Sequence, residues 1–210
     1  MNIADLIDVY RKDFTDDINP SKYRWNDAFL LRSFNEAQKQ VCNRVDCLFH
    51  NNQFITLQNG RAHYTLPTNL NRLLAMTLDS LELTKVMPEQ LRYDWRTQTG
   101  FSADPDRRFI IRGNIITFTP TPDSADDGLQ VYLEGFWQPD LLVTVTDELT
   151  IPEEFQRDSV HWVLYEGYSN DDLDAKDEIK SQTHLAQFNH TFGAPVPANV
   201  RQYQFETNMS

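Results

Sequence analysis

The chain has 210 residues, 40% of them hydrophobic and 12% aromatic, which is enough to bury a core and argues against global disorder. Its 31 acidic and 19 basic side chains give a net charge of −12, which argues against nucleic-acid binding through a basic surface. No apolar run approaches the roughly 18 residues of a membrane span, and the N-terminus has no signal-peptide pattern. We therefore expect a protein made in a cytosol, with no membrane partner.

The first elements of the chain are predicted to be helices. Apolar residues recur at helical spacing from Ile3 to Phe14, which predicts a short amphipathic helix. Asn26-Asp27 then has the composition of a helix N-terminus, because both side chains favour that end. The helix that follows carries an apolar stripe typical of a bundle, formed by Leu30, Phe34, Ala37, Val41, Val45 and Leu48.

Two cysteines, Cys42 and Cys47, are predicted to lie on this second helix. Five helical positions correspond to a rise of about 7.5 Å and a rotation of about 140°. That separation exceeds the reach of an ordinary disulfide. We interpret both residues as reduced thiols, with one or both packed as small hydrophobic side chains.

From Phe54 the apolar period changes to two, which predicts β-strands. Two dipeptides, Asn59-Gly60 and Gly113-Asn114, favour β-hairpin turns and separate neighbouring strands. The predicted strands cover 54–57, 63–66, 73–78, 81–84, 109–112, 115–118 and 129–133. The middle of the chain is therefore predicted to be an antiparallel sheet or a small sandwich.

Helical spacing returns at Pro152, which suits a first helical turn because its missing N–H is not needed there. This helix is apolar around much of its circumference, which predicts a central position. A last helix is predicted to end at Gly193, with Pro195 just beyond it. The patterns together predict an α+β fold. Its parts are a helical bundle formed by residues 1–52 and 141–193, an inserted antiparallel β region at 53–140, and an extended C-terminal arm at 194–210.

The sequence contains no pattern that points to catalysis. There is no phosphate-binding glycine loop and no Gly-x-Ser-x-Gly nucleophile motif. No histidine pair has metal-site spacing; the histidines are His50, His63, His161, His184 and His190. The acidic cluster that includes Asp177 and Glu178 lacks the central glycine of a calcium loop and stands where a helix begins. We predict no catalytic residue, no metal site and no cofactor, and hence a protein that is not an enzyme.

The order of several short motifs along residues 20–192 carries a family resemblance. The motifs are the Trp25-Asn26-Asp27 helix start, Tyr64-Thr65-Leu66-Pro67, Leu70-Asn71-Arg72-Leu73, Arg112-Gly113-Asn114-Ile115-Ile116, Thr119-Pro120-Thr121-Pro122, Val131-Tyr132-Leu133 and Ile151-Pro152-Glu153-Glu154-Phe155. This succession resembles the head-to-tail adaptor (connector or neck) proteins of tailed bacteriophages. The acidic stretch 88–106 departs from the family pattern.

The resemblance implies a structural protein of the virion neck, made in the host cytoplasm. Many copies, usually twelve, would form a ring beneath the portal protein, extend the DNA channel and contact a tail, nozzle or tail-tube protein. DNA would pass through without sequence-specific binding. The C-terminal arm would grip the portal, and its candidate portal-binding residues are Pro195, Val196, Pro197, Val200, Arg201, Tyr203 and Phe205.

Two other functions remain open at this point. A tail or decoration protein could bind a host glycan through the β region, with Trp95, Phe101 and Trp137 as an exposed stacking platform. The competing interpretation places these aromatic side chains in the core or between subunits, and we prefer it. A hydrolase with dispersed catalytic residues is the second alternative.

Overall fold

The computed structural model describes residues 2–15, 19, 23–90, 98–104, 106–170 and 176–195. These residues form two compact units. Met1–Leu48 and Gln138–Val196 make up one, here called the helical unit, and Phe49–Trp137 makes up most of the other, the β unit. Within the described residues no helix is long and apolar enough to cross a membrane. Helical chain ends with an inserted β region confirm the predicted α+β class.

The helical unit begins with α1 (Ile3–Val9), whose N-cap Asn2 accepts a hydrogen bond from the Asp5 N–H at 2.8 Å. The predicted helix continues to Phe14, but its last five residues, Tyr10–Phe14, form a π-helical turn. Helix α2 (Asp27–Arg44) begins where the sequence predicted. Its N-cap Asn26 accepts a hydrogen bond from the Phe29 N–H at 2.8 Å.

The returning helices are α3 (Glu153–Ser169) and α4 (Glu178–Phe192). Helix α3 packs against both α2 and α4, as its wide apolar surface predicted. Pro152 is the N-cap residue of α3, one position before the helical turn in which we expected it. The core of the helical unit includes Tyr10, Trp25, Leu30, Phe34, Val41, Val160, Leu164 and Phe188.

The cysteine geometry differs from the prediction. Helix α2 ends at Arg44, and Val45 has an extended backbone with φ −122° and ψ 123°. The chain therefore leaves the helix before Cys47, whose Sγ lies 3.5 Å from the Sγ of Cys42. The expectation that both cysteines lie on one helix, out of reach of each other, is wrong because it extended the helix past its C-cap.

The β unit contains two four-stranded sheets. Sheet A has the strand order β1-β8-β3-β4, and sheet B has the order β2-β7-β6-β5. The strands are β1 (Phe49–Thr56), β2 (His63–Thr65), β3 (Leu70–Leu78), β4 (Leu81–Glu82), β5 (Thr84–Lys85), β6 (Arg108–Arg112), β7 (Ile115–Thr119) and β8 (Gln130–Trp137). Every described pair within the sheets is antiparallel except β5 with β6, which is parallel.

One predicted hairpin is confirmed and the other is wrong. Strands β6 and β7 pair around Gly113-Asn114, and Gly113 has the positive φ that this turn needs. Strands β1 and β2, by contrast, belong to different sheets. The turn at Asn59-Gly60 forms, but the Gly60 N–H donates to the Pro122 carbonyl at 2.8 Å. The turn is thus held by a distant loop and carries the chain from sheet A to sheet B.

A buried carboxylate organises a loop of the β unit. Asp126 accepts hydrogen bonds from the backbone N–H groups of Phe101, Ser102 and Asp123 at 2.7 to 2.9 Å. Burial alone would raise the pKa of Asp126, but these hydrogen bonds outweigh it and hold the pKa below its usual value. Asp126 thereby fixes Phe101, whose ring packs against Phe118 at a centroid distance of 5.1 Å.

Candidate functional site

The predicted portal-binding residues lie almost entirely outside the described part of the chain. Of the seven, only Pro195 is described, and it is exposed. Val196, Pro197, Val200, Arg201, Tyr203 and Phe205 fall outside it. The structure therefore shows where the C-terminal segment begins. Binding of these residues to the portal stays a prediction.

The start of the C-terminal segment is held against α2. The C-cap of α4 is Gly193, which has a φ of 81° and whose N–H donates to the Asn189 carbonyl at 2.9 Å. Arg44, the last residue of α2, donates from Nη1 to the Gly193 carbonyl at 2.9 Å and also to the Asn189 side chain. Hydrogen bonds from a charged donor are stronger than neutral ones, so this contact fixes where the segment leaves the helical unit.

The same guanidinium packs on two aromatic rings. Its Cζ lies 4.7 Å from the ring centroid of Phe188 and 5.5 Å from that of Trp162. Phe188 and Trp162 themselves pack at a centroid distance of 5.2 Å. Arg44 is thus stabilised in one orientation by cation–π contacts as well as by hydrogen bonds.

A second candidate surface is a row of aromatic side chains on one face of sheet A, here called the aromatic face. Phe49 lies opposite Phe136 and Phe54 lies opposite Tyr132, each pair with ring centroids 5.9 Å apart. Phe49 and Phe54 are 49% and 47% exposed, and Tyr132 is 39% exposed. Large apolar side chains grouped on a surface usually mark a contact site.

The aromatic face lies at an edge of its sheet. Among the described residues β1 pairs only with β8, so its other side presents backbone N–H and C=O groups for pairing. The opposite face of β8 is apolar and faces the core, since Val131, Leu133 and Trp137 are buried. Strand β8 therefore makes its core contacts through this buried face, and the aromatic residues are exposed on the other.

Two histidines of the helical unit meet between α3 and α4. The Nδ1 atoms of His161 and His184 lie 3.2 Å apart. Burial lowers the pKa of both rings, and the charge of the neighbouring His184 lowers that of His161 further. Nearby on α3, burial raises the pKa of Glu166, which accepts a hydrogen bond from Trp162 Nε1 at 3.0 Å.

Across the described ranges, no group of three or more histidine, cysteine, aspartate or glutamate side chains is placed to hold a metal ion. The His161–His184 pair was not anticipated from the sequence, because 23 positions and a change of helix separate the two residues.

Comparison with protein families decides between the possibilities. A family model described as SU10 adaptor protein matches residues 1–208 of the chain. The chain belongs to the SU10 adaptor protein family. This is a family of phage head-to-tail adaptors, so the resemblance seen in the sequence is confirmed. A search of curated proteins finds no match.

Membership in the SU10 adaptor family identifies the chain as a phage adaptor, a structural class and not a class of enzymes. The glycan platform considered as an alternative loses two of its three members. Phe101 and Trp137 are 0% and 2% exposed, so neither can stack on a sugar. Trp95 lies outside the described residues.

Sequence reasoning missed both surfaces of this SU10 adaptor. Arg44 contacts a residue 149 positions away, and no local pattern marks such a contact. The sequence carries part of the evidence for the aromatic face. Phe49 and Phe54 stand among polar residues in a strand, and core packing therefore cannot explain both. Their alignment with Phe136 and Tyr132 depends on the strand register, which only the structure supplies.

Proposed function

We propose that this SU10 adaptor docks as a ring beneath the portal protein of a tailed phage, extends the DNA channel and connects the capsid to the tail. The observation that carries the proposal is the family match, which spans residues 1–208. The protein would then reside in the neck of the virion. Its net charge of −12 supports a passage through which DNA slides without binding, because like charges repel.

The C-terminal segment from residue 194 is proposed to grip the portal. Support comes from its anchored start, where Arg44 holds the Gly193 carbonyl and the end of α4. A segment that leaves a rigid point can reach a partner at a defined position, which lowers the entropy lost on binding. Ring closure is proposed to use the aromatic face, whose Phe54 and Tyr132 would be covered by a neighbouring copy of the chain.

Deletion of residues 194–210 tests the proposed grip. The truncated protein should keep the helical content and melting temperature of the full chain, because the described core residues all precede residue 194. Phage made with it should yield filled heads without tails. A chain in which 194–210 is replaced by an equally long Gly/Ser segment controls for length and should fail in the same way. Normal yields of infectious phage from either variant would contradict the proposed grip.

Electron microscopy of the purified protein, alone and mixed with portal rings, tests assembly. We expect a monomer or small oligomer alone and a closed ring on the portal, whose copies can be counted directly. A stable closed ring at low concentration without the portal would contradict portal-dependent assembly. Absence of any binding to the portal would contradict the adaptor role proposed here.

A further inference from the structure

Cys42 and Cys47 form a close pair of thiols at the end of α2. Their Sγ atoms lie 3.5 Å apart. Since a disulfide bond measures about 2.05 Å, each sulfur atom has to move by only about 0.7 Å for the bond to form. The solvent reaches one partner more readily, because Cys42 is buried and Cys47 is half-buried.

The backbone around Cys47 lies beyond the end of α2. Val45 is the C-cap of α2, and its N–H donates to the Val41 carbonyl at 2.8 Å. Residues 46–48 have no regular secondary structure before β1 begins at Phe49. Closing the bond therefore requires no break in the hydrogen bonds of the helix.

The two sulfur atoms differ in acidity. The hydrogen bond between the two sulfur atoms lowers the pKa of Cys47, while burial and the charges of Asp46 and Glu154 oppose this effect. The hydrogen bond with Cys47 and burial both raise the pKa of Cys42. Because the thiolate is the nucleophile in disulfide exchange, Cys47 attacks first and Cys42 follows.

We propose that Cys42 and Cys47 form a reversible disulfide by exchange with a small-molecule disulfide such as oxidised glutathione. In the first step the Cys47 sulfur attacks one sulfur of that molecule and the first small thiol leaves. In the second step the Cys42 sulfur attacks Cys47 in the mixed disulfide and the second small thiol leaves. The protein loses two electrons and two protons, and the two released thiols carry them.

The disulfide bond changes the segment that connects the two units along the chain. The disulfide closes a ring over residues 42–47, directly before β1 begins at Phe49. A dithiol persists in a reducing cytosol, whereas an oxidising medium outside the cell favours the disulfide. The inference concerns chemistry of the chain itself and does not depend on the proposed portal contact.

Exposure of the folded full-length protein to oxidised glutathione tests the proposal. The mass of the wild-type chain should fall by that of two hydrogen atoms, without a stable glutathione adduct. Cys42→Ser should retain one glutathione on Cys47, because no second thiol resolves it. Cys47→Ser should remain unmodified, because Cys42 is 2% exposed. Trypsin cleaves after Arg44, so the oxidised wild type should yield two peptides joined by the Cys42–Cys47 bond.

Thermal unfolding supplies an independent readout. The cross-link removes conformations of the unfolded chain, which should raise the melting temperature by about 5 °C, reversed by dithiothreitol. The reduced variants show whether each substitution is tolerated, and Cys42→Ala replaces Cys42→Ser if that variant does not fold. The proposal is overturned if the wild type keeps both thiols, if it stops at the glutathione adduct, or if the bond forms only in denaturant.

Discussion

His161 on α3 and His184 on α4 face each other through their Nδ1 atoms at 3.2 Å, with the ring planes inclined by 20°. Only one hydrogen atom fits between the two nitrogen atoms. When both rings are protonated, two N–H groups oppose each other and two positive charges lie side by side. The close approach of these two rings therefore depends on at least one of the histidines being neutral.

The free energy of unfolding should fall as the pH decreases through the range in which free histidine titrates. The pKa of both rings is lowered in the folded protein, first by burial. The unfolded chain therefore takes up protons first, below its histidine pKa of about 6.5. The stabilisation is complete above that pH and is lost as the pH falls through the lowered pKa values of the folded protein. Urea unfolding at a series of pH values measures it.

Replacement of one histidine of the pair provides the control. His184→Gln should unfold with a smaller pH dependence over the same range, while His50→Gln, at an exposed position of β1, should behave as the wild type. Two charged neighbours also act on these pKa values. Asp158 raises the pKa of His161, and Lys180 lowers the pKa of His184. Equal slopes for wild type and His184→Gln would contradict this origin of the pH dependence.

Asp126→Asn should destabilise the protein by about 2 to 3 kcal/mol, because the amide accepts fewer hydrogen bonds than the carboxylate and presents N–H donors to other donors. The wild-type carboxylate accepts three backbone hydrogen bonds, including those from Phe101 and Ser102. Asp127→Asn is the matched control, since this exposed neighbour accepts one hydrogen bond, from the Asn59 N–H. Chemical denaturation compares the two. Similar losses for both variants would contradict a special role for Asp126.

Leu30→Asp should destabilise the helical unit by about 4 kcal/mol, because it leaves an unpaired carboxylate in an apolar core. Leu30 is 0% exposed in that core. Ala28→Asp places the same charge at an exposed position of α2 and should change stability little. Melting temperatures measure both effects. A Leu30→Asp variant with the same melting temperature as the wild type would show that this face of α2 is not buried.

The double variant Phe54→Ser, Tyr132→Ser should leave the fold intact and weaken ring formation on the portal. Both side chains are exposed in the single chain, so their loss removes few contacts within the unit. Analytical ultracentrifugation with portal rings measures assembly, and circular dichroism measures folding. Ile115→Ser, an exposed position of β7 in sheet B, is the control. Unchanged assembly of the double variant would remove the aromatic face from the ring contact.

Patterns confined to neighbouring residues predicted this fold best. The N-cap of α2 and the hairpin at Gly113-Asn114 depend on residues within a few positions of each other, and the structure has both. The turn at Asn59-Gly60 also forms, yet its flanking strands pair with β8 and β7 instead of with each other. A turn sequence indicates a change of direction, whereas strand partners are selected by burial across the whole unit.

Contacts between distant segments were beyond sequence reasoning. Arg44 with Gly193, and His161 with His184, meet because helices pack side by side, and neither pair carries a local mark. The cysteine geometry failed for a smaller reason. An error of four residues in the end of α2 is enough to turn two separated thiols into neighbours.

The division of the helical unit between both ends of the chain determines the order in which the protein can fold during synthesis. The strands of the β unit, through Trp137, are synthesised before α3 and α4. Until then α2 has no α3 to cover Leu30, Phe34 and Val41. The nascent protein thus carries an uncovered apolar helix while the strands of the β unit are already present, and it is most prone to aggregation at that stage. Premature termination between the two units would release this species.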